Sequence, residues 1–249
     1  MLSGSEKGFA VIEALLLNLR SRDGVSLQEE QILRVALTRD RRFELDEDLV
    51  AQGSRPEVST LLLDGFAARY TLTRTGSRQI TALHVAGDFV DLHAFLLKEM
   101  DHGVMALSPC RVALVDHSEM KRITEQAPHL SRLLWLGTVV DAAIHRERIV
   151  AMGRKSGKAQ LSHLICELYV RLQVVKRTTG LSFNFPISQI ELADVMGVSV
   201  VHLNRTIQGL RRDGLLTWAN RTVTIENWDR LQELAEFDPT YLSLSDEPR

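Results

Sequence analysis

Hydrophobic residues repeat with two different periods in the first half of the chain. Residues 9–19 and 27–37 carry apolar side chains at helical spacing, and Asp23-Gly24 marks a turn between the two predicted helices. The first apolar stripe consists of Phe9, Ile12, Leu15, Leu16 and Leu19, and the second of Leu27, Ile32, Leu33, Val35 and Leu37. Between residues 42 and 115, short apolar runs alternate with turn residues at intervals of about eight to twelve positions. Many short strands of this kind predict a compact β-sandwich or barrel, in which Asp64-Gly65 forms a hairpin turn.

Helical spacing returns after residue 115. Residues 118–124 predict a short helix, and residues 129–152 predict a helix that is long for a globular domain. The apolar stripe of the long helix consists of Leu130, Leu133, Leu134, Gly137, Val140, Ala143, Ile144 and Ile149. A stripe of this length favours a dimer interface between paired helices, and the alternative is a helix packed entirely within its own chain.

A glycine-containing break and several shorter elements follow the long helix. Residues 153–157 contain two glycines and predict a hinge, and residues 161–175 predict another amphipathic helix. Two short strands on either side of residues 219–221 predict a β-hairpin, or wing. Residues 228–234 predict a last helix, and we expect the tail after Asp238-Pro239 to be loosely ordered.

The most specific local pattern lies between residues 188 and 216. Ser188 followed by Glu191 has the form of a capping box, and Gly197 can adopt the left-handed conformation of a tight turn. Ser199 can cap a second helix, which has one apolar and one polar face. The apolar face consists of Leu203, Ile207 and Leu210, and the polar face of His202, Asn204, Arg205, Gln208, Arg211 and Arg212. This arrangement predicts a helix-turn-helix that reads the DNA major groove, rather than an ordinary helical hairpin.

Charge is distributed unevenly along the chain. The 249 residues have a formal net charge of −2, which is not typical of a nucleic-acid-binding protein. Residues 154–222, however, contain ten Lys and Arg against four Asp and Glu, a balance of +6. A basic segment is expected where a protein contacts phosphates, and this one coincides with the predicted helix-turn-helix and wing.

The two cysteines, Cys110 and Cys166, lie far apart in the sequence. They form neither a CxxC pair nor a metal-binding spacing, which argues against a disulfide framework or an iron–sulfur cluster. No signal peptide is evident, and the apolar run at residues 14–17 is far too short to span a membrane. We therefore expect a cytoplasmic protein without a cofactor.

A β-rich N-terminal region, a long helix and a winged helix-turn-helix, in this order, resemble the Crp/Fnr family of bacterial transcription regulators. The resemblance covers about residues 27–235 and is most specific over residues 187–216; weaker marks are Gly53, residues 62–65 and residues 86–89. It implies an α+β fold with a cyclic-nucleotide-binding-like β jelly roll, a dimerisation helix and a DNA-binding domain. The corresponding domains are residues 1–127, 128–153 and 154–249.

The resemblance also implies roles within the helix-turn-helix. Arg205 is expected to contact a base edge, where arginine pairs well with guanine, and Asn204 is suited to adenine. Many members carry Glu where this chain has Val201, which can offer only an apolar contact. The family positions that contact backbone phosphates correspond to Ser188, Gln189, Ser199 and His202. The full predicted DNA-binding set is Ser188, Gln189, Ser199, Val200, Val201, His202, Asn204, Arg205, Gln208 and Arg221.

The predicted effector site departs from the family pattern. Cyclic-nucleotide binders follow a Gly-acid motif with an Arg-Ser/Thr-Ala stretch, and only the first half is present here, at Gly87-Asp88. Within residues 98–105, Asp101 would repel a phosphate, and His102 is only partly charged near neutral pH. The candidate effector-binding residues are Gly87, Asp88, Asp91 and His102. The implied effector is a small molecule other than cyclic AMP.

Two other interpretations of the same region are less well supported. One is a metal site formed by His84, Asp88, Asp91, His93 and His102, for which ordinary sheet-surface and loop positions are the better explanation. The other is a hydrolytic site at Asp88, Asp91 and His93, but no nucleophile paired with a base lies nearby. We therefore predict neither a metal site nor an enzyme.

The sequence as a whole predicts a homodimeric transcription regulator. It would bind promoter palindromes in double-stranded DNA and contact RNA polymerase. It would respond to an unknown small molecule through its β region, and we expect no association with a membrane. One alternative keeps the DNA binding but makes the β region a ligand-free dimer scaffold. Another alternative is a cyclic-nucleotide-binding module whose helix-turn-helix contacts a protein.

Overall fold

Two short helices begin the part of the chain that the computed structural model describes, which comprises residues 12–37, 39–245 and 247–248. Helix α1 spans Glu13–Arg20, and helix α2 spans Leu27–Ala36. The predicted stripe of α1 is buried at Ile12, Leu15, Leu16 and Leu19, whereas Phe9 lies outside the described residues. The apolar face predicted for α2 is wrong at Leu27 and Val35, which are 84% and 52% exposed.

Seven strands of the described chain form two antiparallel sheets after α2. They are β1 (Arg39–Phe43), β2 (Asp48–Val50), β3 (Val58–Asp64), β4 (Ala67–Leu72), β5 (Arg78–His84), β6 (Gly103–Ala106) and β7 (Cys110–Asp116). One sheet has the order β1-β7-β3 and the other the order β2-β6-β4-β5. A short helix, α3 (Ala94–Leu97), lies between β5 and β6. The predicted all-β region is therefore confirmed as two layers.

The hairpin predicted at Asp64-Gly65 is wrong. Strand β3 pairs with β7, whereas β4 pairs with β5 and β6, so the turn carries the chain from one sheet to the other. Gly65 has a φ of +94°, and a Cβ there would lie 2.5 Å from the carbonyl oxygen of Pro109. The alternation of apolar runs located both strands, but it carries no information about which sheet each strand joins.

Helices occupy the chain after β7. Helix α4 spans His117–Gln126, α5 spans Pro128–Arg154 and α6 spans Gly157–Val174. The side of α5 that faces its own chain buries Leu130, Leu133, Leu134, Val140, Ala143, Ile144 and Ala151. Gly137 and Ile149, which we assigned to this stripe, are exposed, Ile149 at 70%. The other members of the stripe predicted as a dimer interface pack within their own chain instead. The long helix is confirmed, and the break after it is only two residues long, with Ser156 capping α6.

A smaller four-stranded sheet and three helices complete the C-terminal part. They are β8 (Thr178–Thr179), β9 (Ser182–Asn184), α7 (Gln189–Met196), α8 (Val200–Arg212), β10 (Leu216–Ala219), β11 (Thr222–Ile225) and α9 (Trp228–Ala235). The sheet order is β10-β11-β9-β8. Together with the β region and α5, this arrangement confirms the predicted α+β fold class.

The tail after α9 is ordered, contrary to our prediction. Residues Pro239–Leu242 form a 3-10 helix against α5, and Leu242 is only 1% exposed. The hydroxyl group of Tyr241 donates a hydrogen bond to Glu167 on α6 at 3.0 Å. Burial of these apolar and aromatic side chains offsets the entropy lost when the tail is fixed. Among the described residues, no helix is both long and apolar enough to cross a bilayer.

Candidate DNA interface and effector cavity

The predicted helix-turn-helix is formed by α7 and α8. The hydroxyl oxygen of Ser188 accepts a hydrogen bond from the Glu191 N–H at 3.2 Å, and the Glu191 carboxylate accepts one from the Ser188 N–H at 2.6 Å. Gly197 follows α7 with a φ of +66°, and Ser199 caps α8 by accepting from the His202 N–H at 3.2 Å. The predicted capping box, glycine turn and second cap are therefore all present.

Helix α8 has one buried and one exposed face. Leu203 and Leu210 are fully buried, whereas Val201, Arg205 and Gln208 lie in solvent. Of the ten residues predicted to bind DNA, Val200 and Asn204 are half-buried and the other eight are exposed. Sequence reasoning did not single out Ile190, which is 64% exposed on α7.

The wing is a tight hairpin between β10 and β11. Asn220 and Arg221 have φ values of +50° and +62°, the left-handed pair that a two-residue type I′ turn requires. The Arg211 guanidinium donates to the carbonyl oxygen of Trp218, which ties the end of α8 to the wing. Arg221 is exposed, and its carbonyl oxygen accepts from the Phe185 N–H at 2.7 Å. The wing therefore holds Arg221 in a fixed place beside the helix-turn-helix.

The helix-turn-helix rests on the β region of the same chain. Arg78 on β5 forms an ion pair with Asp194 on α7 at 2.9 Å, and the Gln79 amide donates to the Asp194 carbonyl oxygen at 2.5 Å. The terminal methyl group of Met152 on α5 lies close to Gly197. Polar contacts thus connect the recognition element directly to the sheet that contains β5.

A cavity of about 90 Å³ lies where the β region meets the helices. Gly87 and Asp88 line this cavity together with parts of α1, α5, α6 and the tail. The two other predicted effector residues do not line it. Asp91 is fully buried and accepts hydrogen bonds from the Thr60 N–H at 2.5 Å and hydroxyl at 3.0 Å. His102 is 8% exposed and is bonded to Asp101 at 2.7 Å.

The carboxylate of Asp88 is already occupied by groups of the chain. It pairs with Arg171 on α6 at 2.6 Å and accepts a hydrogen bond from the Val85 N–H at 2.9 Å. Arg171 also contacts Glu167 at 3.2 Å. Sequence reasoning missed Arg171, because 83 residues separate it from Asp88 and no local pattern connects them.

A second buried ion pair lies at the same cavity. Arg69 on β4 contacts Asp141 on α5 at 2.9 Å and the Nε2 atom of His145 at 3.3 Å. Burial opposes ionisation of Asp141, but the charge of Arg69 and the hydrogen bond from Arg69 outweigh it and hold the pKa of Asp141 at about 2. Burial also lowers the pKa of His84, and it lowers the pKa of His93 to about 4. The cavity therefore contains two paired arginines beside neutral imidazoles.

The remaining candidates from the sequence are the two cysteines and the five residues considered for a metal site. Cys110 and Cys166 are free and buried, and burial raises the pKa of the two thiols to about 11 and about 12. No group of three or more His, Cys, Asp or Glu side chains within the described part of the chain is arranged to hold a metal ion. The five residues considered for a metal site in the β region lie in this described part and form no such group.

Comparison with known families and structures agrees with this architecture. Residues 40–127 match the family model described as a cyclic nucleotide-binding domain, and residues 159–234 match the Crp-like helix-turn-helix domain. The FixK2 structure from Bradyrhizobium japonicum superposes with a TM-score of 0.72 at 22% identity. That superposition covers 79% of this chain and 96% of FixK2.

Similar sequences are transcription regulators. A probable transcriptional activator from Rhizobium leguminosarum bv. viciae is 23% identical over 78% of this chain and 80% of its own length. The transcriptional activator protein FnrL from Cereibacter sphaeroides is 23% identical over 80% of this chain and 81% of its own length. With both domain models matched in the same order and relatives aligned across both domains, the chain belongs to the Crp/Fnr family of transcription regulators.

Proposed function

We propose that this regulator binds promoter palindromes as a homodimer and responds to a small molecule other than cyclic AMP. The observation that carries the proposal is the exposed polar face of α8, on which Arg205 and Gln208 are free to approach base edges. Arg221 on the wing and Ser188 at the start of α7 are exposed beside it, which supports contacts to phosphates.

An exposed apolar stripe on α5 supports dimerisation. Trp135 and Ile149 are 69% and 70% exposed, and Val139 is 46% exposed. With the exposed Ala142 and Arg146, these positions follow alternating steps of four and three residues, the spacing of a coiled-coil seam. Two chains joined along this seam would present two α8 helices. Helices placed about 34–36 Å apart would enter successive major grooves of a palindrome.

The surroundings of the candidate effector residues support a signal other than cyclic AMP. Arg171 is already paired with Asp88, and burial lowers the pKa of His102, so neither Arg171 nor His102 offers a free positive charge to a cyclic phosphate. The cavity beside Asp88 favours a sensor over a ligand-free scaffold. We further propose domains at residues 1–127, 128–153 and 154–249, a cytoplasmic location, and contact with RNA polymerase at the promoter.

The test of DNA recognition is selection of bound sites from random duplex DNA, followed by gel-shift titration against salt. We expect an enriched palindrome and a steep loss of affinity with salt, because each neutralised phosphate adds about 0.9 to the logarithmic slope. Selection that enriches no sequence would contradict the proposal.

Sedimentation equilibrium tests the dimer. The wild-type protein should sediment at twice the 28.0 kDa mass of the chain. Ile149→Glu places charges at the seam and should give a monomer with weakened DNA binding. Leu27→Glu is the matched control, because Leu27 is also highly exposed, at 84%, but lies on α2; this variant should remain a dimer. Equal behaviour of the two variants would exclude the α5 seam.

A further inference from the structure

The cavity beside Asp88 is lined by side chains from several distant segments of the described chain. Leu15 comes from α1, Val85 from the segment after β5, Leu133 from α5, Val174 from α6 and Leu242 from the tail. A molecule held there would contact the β region and the DNA-binding part together. Binding would therefore favour the arrangement in which these parts are docked.

Three side chains that line the cavity have buried nitrogen atoms without hydrogen-bond partners. Within the described residues, these are the Nε atom of Arg69 and the Nε2 atoms of His84 and His93, all buried. Arg69 and His84 are only 8% and 3% exposed. A buried donor without a partner is unfavourable, because it has lost its hydrogen bonds to water and gained none in return. Three such atoms around one cavity indicate that a polar partner belongs there.

The chemistry of these atoms selects the partner. Arginine donates hydrogen bonds and cannot accept them, so the group opposite its Nε–H must be an acceptor. Each neutral imidazole can carry its proton on Nε2 and donate a hydrogen bond to an acceptor in the cavity. A carboxylate has two oxygens that accept up to about four hydrogen bonds, and it gains additional energy from a charged donor.

The size and the apolar lining of the cavity limit the rest of the ligand. Leu15, Leu133 and Leu242 also line the cavity and provide apolar surface. A cavity of about 150 Å³ binds benzene, so a cavity of about 90 Å³ suits a ligand of only a few heavy atoms. A short carboxylic acid is of this size, whereas the purine, ribose and phosphate of a cyclic nucleotide are far larger.

We propose that the cavity binds a small monocarboxylate, whose oxygens accept hydrogen bonds from Arg69, His84 and His93 while its short alkyl body packs on the leucines. This inference rests on the proposed function and specifies the effector class. The ligand would join the β region to α6 and the tail, and so stabilise one placement of the helix-turn-helix.

Titration calorimetry and thermal unfolding of the full chain test the inference with butanoate as the probe. Butanoate should bind saturably and raise the melting temperature. Butanamide, of the same size but without charge, should bind at least about tenfold more weakly, because a hydrogen bond to a charged group contributes more than one to a neutral group. Absence of butanoate binding, equal binding of butanamide, or displacement of butanoate by cyclic AMP would each overturn the inference.

Variants locate the bound acid. His93→Leu removes one donor without leaving a buried charge, and it should weaken butanoate binding about tenfold or more. Arg69 is unsuitable for replacement, because its removal would leave Asp141 unpaired. His117→Leu is the matched control, because His117 begins α4 directly after β7, bonds Ser59 and does not line the cavity. This variant should bind butanoate normally. Equal affinities of the two variants would place butanoate elsewhere and refute the assignment.

The two proposals fail separately. If wild-type protein enriches a palindrome in site selection but ignores butanoate, the DNA-binding function stands and the effector class is wrong. If butanoate binds with the expected dependence on His93 but no DNA sequence is enriched, the cavity is a carboxylate site and the proposed regulator function is wrong.

Discussion

Helix α8 and the junction between α6 and the β region both depend on arginines, but in opposite environments. Arg205 on α8 is exposed, and no ion pair involving it occurs among the described residues. Arg171 in the junction is 12% exposed and contacts two carboxylates, Asp88 at 2.6 Å and Glu167 at 3.2 Å. A hydrated, unpaired arginine can exchange water for a phosphate or a base, whereas a buried one needs its partners permanently.

This contrast predicts that substitutions in the two regions affect different measurements. Loss of an exposed recognition side chain should change DNA binding and leave the free energy of unfolding nearly unchanged. Loss of a junction side chain should reduce the free energy of unfolding and leave base preference unchanged in the protein that remains folded.

The largest effect is expected from Arg171→Met. The substitution keeps most of the volume but leaves Asp88 and the 3% exposed Glu167 without their shared cation. Removing one partner from a buried pair typically costs about 3–5 kcal/mol, which urea unfolding would measure. Arg177→Met is the matched control. Arg177 also joins this region to the β sheet, but it and Asp64 are 50% and 66% exposed, so the loss should be below about 1 kcal/mol. Similar losses would show that burial does not distinguish the two pairs.

The next effect is expected from Arg205→Ala. Loss of a bidentate base contact should cost about 1–3 kcal/mol of discrimination at one base pair, or roughly 5- to 150-fold. Gel shifts with the selected site and with single-base variants would measure it. Arg221→Ala on the wing removes a proposed phosphate contact instead. It should weaken all sequences alike and lower the salt slope by about 1. Unchanged base preference in Arg205→Ala would remove Arg205 from the reading face.

A smaller effect is expected where α7 turns into α8. Gly197 has a φ of +66° and faces the flexible end of Met152, so Gly197→Ala should cost about 1–2 kcal/mol in urea unfolding, mainly through backbone strain. Gly24→Ala is the control, because Gly24 has no positive φ and no atom within 4 Å of an added Cβ. If both substitutions are neutral, the left-handed turn is not a constraint on this helix-turn-helix.

The helix-turn-helix could be predicted from the sequence, because its features are local. Each feature of the helix-turn-helix arises within a few residues: Ser188 caps with Glu191, and Gly197 ends α7. Local spacing therefore located α7, α8 and the wing. The polar and apolar faces of α8 also follow from spacing, because helical periodicity fixes which side chains share a face.

The junction could not be predicted in this way. Arg69 and Asp141 are 72 residues apart, and Arg171 and Asp88 are 83 apart, so neither pairing has a local pattern. The Gly-acid motif did locate one wall of the cavity, but it gave no indication of Arg171, the cation that pairs with Asp88. The tail was misjudged for the same reason, since Leu242 and Tyr241 are ordered by contacts with distant helices. Exposure of Ile149 likewise depends on what covers α5, which periodicity does not specify.

The smallest effect concerns His129, at the start of α5. The exposure of this side chain lies between that of Arg205 and that of Arg171. Its side chain is 32% exposed and contacts Glu29 at 2.6 Å and Asp23 at 3.1 Å. These hydrogen bonds, to Asp23 and then to Glu29, raise the pKa of His129 above its usual 6.5. Partial exposure limits the contribution of this ion pair to less than about 1 kcal/mol.

The dependence on pH gives this contribution a distinct sign. A raised folded-state pKa means that the stabilisation is complete below about pH 6.5 and is lost as pH rises through the raised pKa. Burial opposes ionisation of Glu29, but hydrogen bonds from Ser26 and His129 keep its pKa below 4.5, so both partners are charged near pH 5.5. His129→Gln should therefore cost more stability in urea at pH 5.5 than at pH 8.5.

His117→Gln provides the opposite case for the same measurement. Burial lowers the pKa of His117, so the wild-type chain loses stability from this residue as pH falls below 6.5. Replacement with glutamine removes that loss, and the variant should compare more favourably with wild type at pH 5.5 than at pH 8.5. If the two variants show the same pH trend, then the hydrogen bonds of His129 do not outweigh the effect of burial on its pKa. The contact at the start of α5 would then behave like a desolvated histidine rather than an ion pair.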